Sequence, residues 1–76
     1  MIARLPANDE AHRQLGDVLA SRSRWEEAIA ELRTAVLLRP KFADNLARLG
    51  VVLLASGRPT EAIEVFQRAA TLQPDN

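Results

Sequence analysis

His12 is the only histidine in the chain, so any acid–base chemistry has to start there. A general base needs an oriented partner and a pocket. Asp9 and Glu10 stand close in sequence, but helix neighbours three and four apart face each other, and Glu10 is only two away. The expected role of His12 is to fill a large-residue packing position. Metal binding is no better served. There is no cysteine, one histidine stands among scattered carboxylates, and the Glu-x-x-His spacing of di-iron bundles is missing. No phosphate loop, nucleophile elbow or dinucleotide fingerprint occurs, and three glycines are too few for a phosphate cradle. The residues imply no catalytic site, no cofactor, no metal and no enzyme.

The charged residues read as surface. Glu26, Glu27 and Glu31 fall at the start of a helical stretch, where acidic groups suit the helix dipole. Glu27 and Glu31 are a like-charged pair four apart, which Arg24 or Arg33 is expected to screen. Arg22, Arg24, Arg58 and Arg68 could make a basic edge for RNA. Against that stand a net charge of zero, from ten basic and ten acidic residues, and a lack of stacking aromatics. The balance argues for no nucleic acid and no anionic membrane as partner. No apolar run approaches the roughly 20 residues of a membrane span, and the stretch Met1–Pro6 is too short and interrupted for a signal peptide. A soluble, cytoplasmic protein is expected.

The elements that carry these residues follow from an internal repeat. Pro6, Pro40 and Pro74 are spaced by 34, and aligning Asp9–Phe42 with Ala43–Asn76 gives eleven identities without a gap. Among them are Leu15/Leu49, Gly16/Gly50, Leu19/Leu53, Ala28/Ala62 and Ala35/Ala69. Apolar residues recur at helical spacing in each copy, which predicts helices near 9–21, 25–38, 43–56 and 59–72. Ser23-Arg24-Trp25-Glu26 has the form of a capping box. Gly57 can end a helix left-handed, and Pro59 suits the first position of the next. Each copy is therefore a helix–turn–helix hairpin, ended by proline. Gly16 and Gly50 inside the first helices cost about 1 kcal/mol each against alanine. Close approach to Ala28 and Ala62 of the facing helices is the expected compensation, with Leu15, Leu19, Leu32 and Ala35 filling the rest. Trp25 is expected to pack over the turn between helices, with a binding hot spot as the sharper option.

The chain resembles the tetratricopeptide repeat family. The residues that carry the likeness are His12, Leu15, Gly16, Leu19, Ala28, Leu32, Ala35 and Pro40 in the first copy. In the second they are Leu46, Leu49, Gly50, Leu53, Ala62, Phe66, Ala69 and Pro74. His12 and Leu46 depart from the family's usual Trp, and Leu32 from an aromatic. The resemblance implies an all-α fold, a short right-handed solenoid of antiparallel hairpins. The repeats would span 9–42 and 43–76, with residues 1–8 the tail of a preceding repeat or a linker. It also implies a protein–protein interaction module whose concave face, lined by the first helix of each hairpin, takes a peptide or a partner helix.

By register that face carries Glu10, Arg13, Gln14, Asp17, Ala20 and Ser21, then Asp44, Ala47, Arg48, Val51, Leu54 and Ala55. Arg13, Gln14, Asp17, Asp44, Arg48, Val51 and Leu54 are the expected partner-binding residues: charges of both signs beside a small apolar strip. One branch of the family clamps the C-terminal carboxylate of chaperones with Lys and Asn. Here Arg13 stands where Lys is usual, and Asp17 and Arg48 where Asn is usual. An Asp would repel the carboxylate, so this clamp is not expected.

Solenoids gain stability by stacking repeats, usually three or more with polar caps. Two hairpins alone would leave Ile63, Phe66, Ala70 and Leu72 partly uncovered. The expectation is a piece of a longer array, or a homodimer formed through the face carrying Phe66. The rival readings are a nucleic-acid-binding helical repeat, marked by strong salt dependence, and a regulatory segment of a larger enzyme.

Overall fold

The computed structural model describes residues 8–72. They form four helices, α1 Asn8–Ser21, α2 Trp25–Leu38, α3 Ala43–Ala55 and α4 Pro59–Leu72, and no strand occurs among the described residues. Each expected span agrees to within one residue at either end. The tail expected before the first repeat lies, apart from Asn8, outside the described residues.

Both hairpins turn on one motif. The Arg24 N–H donates to the Leu19 carbonyl at 2.9 Å and the Ser23 N–H to Ala20 at 2.9 Å. One period later the Arg58 N–H donates to Leu53 at 2.8 Å and the Gly57 N–H to Leu54 at 3.1 Å. Closing a helix this way needs a left-handed residue just past its end. Gly57 supplies it with φ 87°, as expected, and Ser23 supplies it with φ 61°. That duty displaces the capping box. Arg24, not Ser23, is the N-cap of α2, and no side chain caps it. The Glu26 carboxylate accepts instead from Arg58 of the next turn. Pro59 opens α4, as its missing N–H allows.

The layers follow the apolar stripes. α1 packs on α2 and α3 on α4, α3 closes against α2, and α1 meets α3 along one edge. Ala28, Leu32, Ala35, Leu46, Leu53 and Ala62 lie at the centre of the core. A Cβ on Gly16 would stand 2.7 Å from Leu32 Cγ and 3.3 Å from the Ala28 carbonyl oxygen. On Gly50 it would stand 2.7 Å from Phe66 Cε1. The glycines do mark close approach, but the groups lying over them are chiefly Leu32 and the Phe66 ring. Trp25 is half-buried and packs against the core.

Leu15 departs from expectation. It is 45% exposed, whereas Leu49, the same position one period on, is 5% exposed. Leu49 shares a cleft with Val36 of α2 and Val65 of α4. No described helix stands in front of α1 as α2 stands in front of α3, so Leu15 has nothing to enter. Val18, Ile63 and Ala70 are exposed for the same reason, and Phe66 and Leu72 are half-buried.

A polar junction that the repeat pattern does not contain joins the hairpins. Asn45, fully buried, donates from Nδ2 to Asp9 Oδ2 at 3.2 Å and to the Ala35 carbonyl at 3.3 Å. Arg39 stands 3.7 Å from the same carboxylate and stacks 4.2 Å from the centroid of Phe42. The start of α1, the end of α2 and the start of α3 are thereby tied at one point.

Candidate functional site: the α1–α3 face

α1 and α3 run side by side in the same direction. Arg13 Nη1 donates to Asp44 Oδ2 at 2.9 Å, and Arg48 Nη1 donates to Asp17 Oδ2 at 2.6 Å. Both pairs are 31 residues apart in sequence. That is three short of the repeat, so facing residues are offset by nearly one helical turn. Arg48 Nε also donates to Asp44 Oδ2 at 3.1 Å. Arg13, Asp44, Arg48 and Asp17 therefore form a continuous ladder with no net charge. Arg13 is the least exposed of the four, and its guanidinium also lies 5.7 Å from the Phe42 ring centroid.

Beyond the last rung the face turns apolar. Asp17, Ala20, Ala47, Arg48, Val51 and Val52 line a shallow hollow of about 240 Å³. Val51 is 58% exposed and Leu54, one turn further, 54%. Gln14 stands apart from the ladder, with its Nε2 donating to Glu10 at 3.4 Å. Of the seven residues expected to bind a partner, five thus meet in the ladder or at the hollow. Leu54 adjoins without lining it.

Other charged groups pair both across helices and within one. His12 Nδ1 lies 2.6 Å from Glu31 Oε1 on α2, not against Asp9 or Glu10. Arg24 takes Glu27 at 2.5 Å, and Arg33 reaches Glu61 of α4 at 3.5 Å. Of the two arginines expected to screen the Glu27/Glu31 pair, Arg24 does so. Arg33 spans a cleft of about 410 Å³ between α2 and α4, opposite the ladder. The buried Asp9–Asn45 pair and this cleft were not foreseen, because both arise where hairpins meet and neither repeats with the period. Among the described residues no cluster of three or more His, Asp or Glu could hold a metal ion. No described helix is long and apolar enough to cross a membrane.

Comparison with known proteins agrees with the fold. The tetratricopeptide repeat family model matches residues 2–41 and residues 13–76. The chain is 32% identical over 75 residues to the Hsp70-Hsp90 organizing protein of Triticum aestivum, covering 99% of this chain and 13% of that protein. It is 25% identical over 72 residues to small glutamine-rich tetratricopeptide repeat-containing protein 2 of Saccharomyces cerevisiae, covering 95% of this chain and 21% of that one. Superkiller protein 3 of Schizosaccharomyces pombe is 31% identical over 65 residues, 86% of this chain and 5% of that protein. The chain spans about a fifth or less of the length of these relatives. Period, paired helices, small residues at the crossings and family match agree: the chain belongs to the tetratricopeptide repeat family.

Proposed function

We propose that this chain is a protein-interaction module that holds a peptide or a partner helix against the face formed by α1 and α3. Val51 and Leu54, standing more than half exposed beside an apolar hollow, carry that reading. The relative whose name describes it as organizing Hsp70 and Hsp90 supports a scaffold role. Aliphatic side chains would supply affinity, and the Arg–Asp ladder would fix the angle between the hairpins, which shapes the face.

Charge reversal at Arg13 and Arg48 would break the ladder and blur the result. Val51→Asp combined with Leu54→Asp is the cleaner test. Proteins captured from a lysate by the wild-type chain should fall at least about tenfold with this variant, since burying a Val or Leu side chain against a partner contributes about 1.5–3 kcal/mol. Circular dichroism should show an unchanged helix content. Equal capture by a folded variant would remove the assignment.

A further inference from the structure

We propose that the α1–α3 face selects an uncharged stretch of extended polypeptide with two apolar side chains two residues apart, and rejects an acidic chain end. This rests on the concave-face reading and names the chemistry of its ligand. The two cations there are already paired with carboxylates of the same face. Arg13 is held by Asp44 at 2.9 Å, and Arg48 by Asp17 at 2.6 Å and Asp44 at 3.1 Å. A carboxylate entering beside either guanidinium meets the negative charge of the Asp already paired with it. Neutral ligands meet no such repulsion.

What the ladder leaves over suits a peptide backbone, which carries one donor and one acceptor per residue. Asp17 and Asp44 both use Oδ2 for the rungs, so each keeps Oδ1 to accept an N–H. A guanidinium has five N–H donors, and Arg48 uses two, through Nε and Nη1, so the others can donate to a ligand carbonyl. Val51 and Leu54 stand one helical turn apart, about 5–6 Å between Cβ atoms. In an extended chain, side chains two residues apart lie on one face about 7 Å from each other. An apolar-x-apolar segment thus places one side chain in the hollow over Ala20 and Ala47 and the next against Leu54, with its backbone passing the ladder.

Selection from a phage-displayed library of random nonapeptides tests this with the whole 76-residue chain as bait. The expected winners carry apolar-x-apolar and little net charge. Binding of the synthetic winner, followed by fluorescence polarisation, should change less than threefold between low and high salt. It should weaken at least tenfold with Val51→Asp, and should not improve when a free C-terminal carboxylate replaces the amide. Winners rich in Asp or Glu, a tenfold loss with salt, or tighter binding of the free acid would overturn the ligand class while leaving the face in place. Winners indifferent to both Val51→Asp and Leu54→Asp, or no enrichment at all, would overturn the concave-face reading as well.

Discussion

Arg48 on α3 and Asp17 on α1 bridge the two hairpins, Nη1 to Oδ2 at 2.6 Å, and a second rung ties Arg48 back to Asp44 on its own helix. The pair is a fastener between repeats, placed on the face that the two first helices share. Both side chains are over 40% exposed, so water and salt weaken the bond. A double-mutant cycle of Arg48→Ala and Asp17→Ala, read by chemical denaturation, should give a coupling of about 0.5 kcal/mol at low salt that shrinks as salt rises. A coupling of zero at low salt would mean the rung does not hold in solution.

The buried junction is expected to matter more. Asn45→Ala removes the donor to Asp9 and to the Ala35 carbonyl, leaving a carboxylate that is 1% exposed with Arg39 as its remaining partner among the described residues. Leaving such a group unsatisfied costs about 2–3 kcal/mol. Thermal unfolding should show a Tm lower by about 10–20 °C, at roughly 4–8 °C per kcal/mol for a domain of this size. Adding Asp9→Ala should cost less than Asn45→Ala did, because the stranded charge leaves with it.

Ser23 and Gly57 do the same task at the same place in two hairpins, with φ of 61° and 87°. A side chain in the left-handed region costs about 1–2 kcal/mol, and glycine gives back about 0.5–1 kcal/mol through the entropy of the unfolded chain. Ser23→Gly should therefore stabilise by about 0.5–1 kcal/mol, and Gly57→Ser should destabilise by a similar amount. Opposite signs in denaturant midpoints would check both.

Open edges predict association. Leu15 and Val18 on one side, Ile63 and the Phe66 ring on the other, are apolar groups at positions that stacking covers elsewhere in this chain. The isolated chain should show a mass by light scattering that rises with concentration, and Ile63→Glu should return it to the monomer. A monomer mass for the wild type at high concentration would contradict this.

Much of the fold was legible because a 34-residue period writes each structural decision twice. The helix spans could be read from one copy and checked in the other, while Gly57 and Pro59, replaced by Ser23 and Trp25 in the first copy, were legible from residue type alone. What escaped was whatever depends on packing between elements rather than on residue type. Ser23 looked like a cap because its type suits one, and only its alignment with Gly57 told of the turn it had to make. Leu15 matched Leu49 in type, but burial depends on a neighbouring helix that sequence identity does not encode. The candidate face was legible as a set of positions. That its charges bind each other required the three-residue offset between α1 and α3, which hairpin packing sets.

Photocrosslinking tests the central claim most directly. Benzoylphenylalanine replaces Val51, beside the hollow, or Leu37, which is 80% exposed at the α2–α4 cleft. Irradiation in a lysate should give discrete adducts from position 51 and none above background from position 37. Adducts from position 37 alone, or the same adducts from both, would place the working surface elsewhere.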